Sequence, residues 1–115
     1  MDAVTTLLKC LKSKRYINDV DKAKSEVKTE MITLRKEDDL FIRDAITGTG
    51  TILKEDLDHH YYITTVKIGT FGNTLTQAII LRDGSSAEIA VYAHEGLIKQ
   101  HLAEKTIDKL KGLLC

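Results

Sequence analysis

Val4, Leu7, Leu8 and Leu11 fall at i, i+3, i+4 and i+7, the spacing that gathers side chains on one stripe of a helix. Asp2 stands just ahead, where an N-cap belongs. The pattern predicts a first helix over about residues 3–14. Asn18 or Asp19 caps a second helical pattern through Val20, Ala23 and Val27, and the same period runs on through Met31 and Leu34. Residues 30–35 read equally as strand, because Met31-Ile32-Thr33-Leu34 is β-branched and a polar turn, Arg35 to Asp39, follows. The preferred reading is a helix to about Thr29 and then a strand.

From residue 40 the texture changes to short runs rich in Ile, Val, Thr and Tyr, separated by Gly, Asp and Asn, which is the signature of a β-meander. Strands are expected at about 40–46, 50–54, 60–68, 75–82 and 86–93, with turns at 47–50, at 69–73 and at Asp83-Gly84. Asp-Gly is the strongest of these turn signals, since both residues tolerate the positive φ of a two-residue hairpin loop. After Glu95-Gly96 the helical period returns through Ile98, Leu102, Ala103, Ile107, Leu110 and Leu114, with Lys105, Lys109 and Lys111 toward the end that favours cations. The expected fold is α+β, one domain over residues 1–115. It is read as a two-layer sandwich: a mostly antiparallel meander of about five strands, packed on one face by the N-terminal and C-terminal helices.

Composition supports a packed core. The 115 residues are 43% apolar and 30% charged, as in ordinary globular proteins rather than disordered ones. The apolar run from Val4 to Leu11 is interrupted by Lys9 and preceded by Asp2, so it is no secretory signal. No run approaches the roughly 20 apolar residues of a membrane span. The expected location is cytoplasmic, away from membranes, with Cys10 and Cys115 as free thiols.

Net charge is zero but unevenly laid out. Residues 1–36 carry nine Lys/Arg against five Asp/Glu, and residues 37–60 carry two against seven. Such a dipolar chain favours oriented encounter with a charged protein partner or a second copy of itself.

All four histidines lie in two short segments, Asp58-His59-His60-Tyr61-Tyr62 and His94-Glu95 with His101. Histidine is the side chain best suited to proton transfer near neutrality and to metal ligation. The candidate catalytic residues are therefore Asp58, His59, His60, His94 and Glu95. On a strand His59 and His60 would face opposite ways. His94 and His101 would share a face of a helix that began by residue 94, but seven residues of helix span about 10.5 Å, too far for two ligands that each approach zinc to about 2.1 Å. Chelation would need His94 with His59 or His60 from a neighbouring strand. No HExxH is present, and no metal or other cofactor is expected.

Other chemistry is thinner. Cys10 lies beside the first apolar stripe as a packed thiol, and Cys115 ends the chain. Ser85-Ser86 lack the Gly-x-Ser-x-Gly elbow. The glycine loops Thr47-Gly48-Thr49-Gly50-Thr51 and Gly69-Thr70-Phe71-Gly72-Asn73 lead into strands rather than helices, and read as hairpin turns rather than phosphate cradles. Lys9, Lys12, Lys14, Arg15, Lys22, Lys24 and Lys28 would track nucleic-acid phosphates, a reading disfavoured by the neutral total and the acidic stretch that follows.

The outline of helix, antiparallel meander and terminal helix, with Val91-Tyr92-Ala93-His94-Glu95-Gly96 before the last helix, loosely resembles frataxin. The tryptophan-bearing strand motifs and strongly acidic first helix of that family are missing here, so no activity is carried across. The residues favour a small protein-interaction or binding module, a homo-oligomer among the options. The alternatives are an enzyme or ligand-binding domain using His59 or His60 with His94 and Glu95, and nucleic-acid binding through the basic N-terminal helices.

Overall fold

A computed structural model describes residues 2–69, 74–94 and 101–115. The elements run α1 (Ala3–Ser13), α2 (Val20–Lys24), β1 (Val27–Thr33), α3 (Asp39–Thr47), β2 (Ile52–Asp56), β3 (Tyr61–Ile68), β4 (Thr74–Asp83), β5 (Ser86–Tyr92) and α4 (Leu102–Leu114). The five strands form one sheet in the order β1-β5-β4-β3-β2, every neighbouring pair antiparallel. The α+β class, the five antiparallel strands and the helices from both ends of the chain are as the sequence suggests. The first of the five is β1, which makes residues 30–33 strand as preferred but begins already at Val27, so the helix expected to reach about Thr29 stops at Lys24.

Two assignments change. The segment 40–46, read as a strand, is the helix α3. Asp38 caps it, its side chain accepting from Leu40 N at 2.9 Å, and Phe41, Ile42, Ala45 and Ile46 form an i, i+4 stripe that packs into the core. The loop 47–51 therefore joins a helix to a strand and is not a hairpin turn. The loop 69–73 does connect paired strands, since Ile68 faces Thr74; residues 70–73, and Ile98 and Glu95 of the C-terminal reading, lie outside the described residues.

The helices also divide between the faces, giving three layers where a two-layer packing on one face was expected. Strict alternation along the central strands is the cause. Tyr61, Ile63, Ile79, Ala90 and Tyr92 point to one side and meet Leu7, Leu8 and Leu11 of α1 and Ala23 of α2. Tyr62, Ile80, Ile89 and Val91 point to the other and meet Ile42 and Ile46 of α3 with Ile107, Leu110 and Leu114 of α4. A sheet buried on both faces needs an apolar cover on each. On the α4 side a polar contact is sealed in: the Thr76 and Thr106 hydroxyls meet at 2.8 Å, with the carbonyls of Leu102 and Val66 as further acceptors beside them.

Helix α1 closes without glycine. Arg15 takes φ 66, its N–H reaching Lys12 O, and the next N–H, of Tyr16, reaches Leu11 O, the two bonds of a Schellman C-cap.

Asp83 and Ser86 are the last paired residues of the β4–β5 hairpin, so its two-residue loop is Gly84-Ser85 rather than Asp83-Gly84. Only Gly84 has positive φ, 62°, the arrangement of a type II′ turn. A Cβ at Gly84 would meet nothing closer than Glu37 Oε1 at 3.8 Å, so substitution is resisted by backbone conformation and not by crowding. Gly84→Val is expected to cost about 2 kcal/mol and Gly84→Asn clearly less, because Asn tolerates the left-handed region. Urea denaturation midpoints of the two variants check the difference; equal midpoints would mean that φ is not what the turn requires.

Candidate functional site

The register fixes where the histidines stand. His60 immediately precedes β3, and its carbonyl accepts from Arg82 N at 2.8 Å; Arg82 is in turn paired with Ala87. His94 lies seven residues beyond Ala87, about 20 Å away along an extended chain, beside Glu26 at the start of β1. The two histidine segments thus occupy opposite ends of the sheet, and the acid/base pair that would need Asp58, His59 or His60 to meet His94 is not assembled. His101 sits in a left-handed conformation (φ 54) ahead of α4, so His94 and His101 share no helical face. No group of His, Cys, Asp and Glu among the described residues is disposed to hold a metal ion. No helix among them is long and apolar enough to cross a membrane.

Each histidine has a local carboxylate instead. His59 Nδ1 lies 3.0 Å from Asp56 Oδ2, and His94 Nδ1 lies 3.1 Å from Glu26 Oε2. Asp58, exposed in the β2–β3 turn, joins neither. His60 belongs to a tighter network. Asp39, the first residue of α3, receives Arg82 Nε at 2.7 Å on one oxygen and faces His60 Nδ1 at 3.1 Å with the other. Arg82 also reaches His60 Nδ1, at 3.0 Å, and donates to Gly84 O.

A single ring nitrogen either accepts from Arg82 or, protonated, donates to Asp39. The Arg82 guanidinium holds the Asp39 carboxyl below its usual range, with His60 adding to the effect. Burial pushes the neighbouring Tyr62 phenol up to about 12, helped by Glu55 and Asp39; its hydroxyl donates to Asp39 O at 3.2 Å. This network ties α3, β4 and the β2–β3 turn together, and His60 is held at φ 58 within it. It contains no nucleophile beside a base, and serves as a latch across three elements. Asp39 and Arg82 were not singled out in the sequence, where they lie 43 residues apart.

The basic N-terminal residues do not form one track. Lys9 of α1 and Lys14 at its C-cap turn toward β2 and, with Lys54, line a groove of about 450 Å³ whose other walls are Thr6, Cys10, Ser13 and Leu53. Lys54 comes from the segment that reads as acidic. Its ammonium stands 5.8 Å from the Tyr61 ring centroid, and that side chain holds the ammonium above its ordinary range. Cys10 is buried and free, Cys115 exposed and free; burial pushes the Cys10 thiol up, opposed by Lys14 and Lys54, so it is no activated thiolate.

The third feature is the edge of the sheet. Among the described residues strand β1 is paired with β5 alone. Met31 is 62% exposed there, the most exposed large apolar side chain among the described residues. Lys28, Glu30 and Ile32 alternate onto the α4 face, where Glu30 Oε2 meets Lys111 Nζ at 2.9 Å, and Val27, Thr29 and Met31 alternate onto the other.

The sequence matches no protein-family model and no curated protein, which leaves the outline resemblance to frataxin without support from sequence.

Proposed function

We propose that the protein is a small cytoplasmic interaction module that binds a second copy of itself through the free edge of β1. One observation carries the reading: the edge is self-complementary in a single register. An antiparallel pair related by a two-fold axis normal to the sheet keeps each face on its own side, so facing residues must come from the same face. Centred on Thr29, that pairing sets Lys28 against Glu30 twice and Val27 against Met31 twice, with Thr29 against Thr29 between them. Centring on Lys28 or Glu30 opposes like charges, and centring on Met31 opposes Glu30 to Ile32. Opposite charges and apolar pairs across strands each contribute about 0.2–1 kcal/mol, and like charges oppose association by similar amounts. Free cysteines at both ends suit a reducing compartment.

The wild-type protein is expected to sediment as a dimer that weakens as salt rises, since exposed charges are screened over about 8 Å at physiological ionic strength. Lys28→Glu should weaken the dimer by about tenfold or more, because the symmetry converts two attractive pairs into two repulsive ones. Adding Glu30→Lys, with Lys111→Glu to keep the pair within the chain, should restore it. A protein that is monomeric at every concentration, or a Lys28→Glu variant as dimeric as wild type, would remove this reading.

A further inference from the structure

We infer that the groove between α1 and β2 is a binding site for a small phosphorylated ligand, held by Lys9, Lys14 and Lys54. The site is remote from the β1 edge and independent of it: β2 and β1 are the two opposite edges of the sheet. Lys9 of α1, Lys14 at its C-cap and Lys54 of β2 line one depression, and among the described residues no carboxylate stands in its wall. Among the described residues none of the three forms an ion pair. Lysines outside an ion pair, such as Lys12, Lys22 and Lys24, occur elsewhere on the described surface; what marks these three is that they converge on one depression. Cations converging without an anion create a local positive potential, and a concave wall focuses it.

The chemistry of the wall selects the ligand. Ammonium groups act as compact point charges with several donors each, which suits the acceptor oxygens of phosphate. Ser13 adds a hydroxyl with no partner inside the chain among the described residues, whereas Thr6 spends its own on Asp2 O at 2.8 Å. Leu53 supplies an apolar wall beside the charges. The volume, about 450 Å³, lies within the roughly 300–1,000 Å³ of small-molecule pockets, so there is room for more than a bare anion.

Lys54 is the anchor, because the Tyr61 ring beneath it restrains its side chain before any ligand arrives. The opposing pull of Lys14 and Lys54 on the Cys10 thiol is the same convergence felt by an occupant of the groove's wall. A phosphate reaches such a groove either on a free small molecule or on a nucleic-acid backbone. The short, bounded depression favours the former, since a backbone track would extend along Lys12, Lys22 and Lys24, none of which lines it.

The test is an NMR titration of the full chain with inorganic pyrophosphate, with adenosine diphosphate, and with a short single-stranded RNA. Both small ligands should shift the backbone amides of residues 6, 9, 10, 13, 14, 53 and 54 saturably and raise the thermal midpoint. Lys54→Gln should weaken pyrophosphate by about tenfold or more, as expected for loss of a charge-assisted contact, while the unliganded variant still unfolds cooperatively with a midpoint lowered only by the lost Tyr61 contact. Lys12→Gln removes the same charge from the same helix outside the groove and should leave affinity nearly unchanged. Equal losses in the two variants would mean diffuse attraction and overturn the site. So would RNA binding without pyrophosphate binding, or shifts spread over α1 and α2 alike.

Discussion

Gly50→Ala is expected to destabilise the fold by about 3 kcal/mol or more. A Cβ built on Gly50 would stand 1.8 Å from the carbonyl oxygen of Thr65 and 2.6 Å from its carbon, inside any van der Waals contact. The obstacle is backbone of β3, which is buried and paired on both sides, so it has nowhere to retreat. The close approach is itself held by Thr51 N on Thr65 Oγ1, Thr65 N on Thr51 O, and Lys67 N on Thr49 O, at 2.8–2.9 Å. Two other glycines serve as controls. At Gly48 a Cβ meets Ala45 O at an ordinary 3.5 Å, and at Gly112 it meets nothing within 4 Å. Gly48→Ala should be mild, and Gly112→Ala, inside α4, should stabilise by about 0.5–1 kcal/mol through the unfolded chain. Denaturant midpoints that fail to separate Gly50→Ala from Gly48→Ala would show that the approach at Thr65 is not a constraint.

The second large effect concerns the two covers of the sheet. Leu7 on α1 and Leu110 on α4 are both fully buried, in clusters on opposite faces. Each truncation to alanine is expected to cost about 3 kcal/mol from lost burial and the cavity left behind. The sheet separates them and they share no contacts, so the costs should add within about 0.5 kcal/mol. In a two-layer packing on one face the two leucines would neighbour each other and their costs would couple. A double-mutant cycle from chemical denaturation therefore measures the number of layers: strong non-additivity would contradict the three-layer arrangement.

The same comparison shows what was legible beforehand. Helix α1, the β4–β5 hairpin and the alternation of β5 follow from local spacing, because one period or the other dominates each of them. The segment 40–46 misleads because Leu40-Phe41-Ile42 looks like a strand, although Leu40 is 60% exposed and the working signals are the Asp38 cap and the i, i+4 pairs Phe41/Ala45 and Ile42/Ile46. Which face each helix covers is not a local property: Tyr61-Tyr62-Ile63 offers apolar side chains to both sides, and nothing nearby says which helix takes which. The histidine segments are close in composition and far apart in space for a similar reason, since strand direction decides which end of the sheet each occupies. Asp39 and Arg82 meet through tertiary pairing alone. Lys54 escaped notice because its neighbours in sequence are acidic, whereas its neighbours in the fold are Lys9 and Lys14.

The strand order also sets a timetable for folding. Strands β2 to β5 follow one another and pair with their neighbours in sequence, so each closes a short loop. Strand β1 has no such neighbour: its partner is β5, with Val27 against Tyr92 across more than half the chain. Helix α1 depends on the same late arrivals, for the face it covers is made by β4 and β5. During synthesis, therefore, α1 emerges with Leu7, Leu8 and Leu11 bare and must wait until β5 is made before it has a surface to cover. The meander is the template, and α1 with β1 is a latecomer in space although it precedes the meander in the chain.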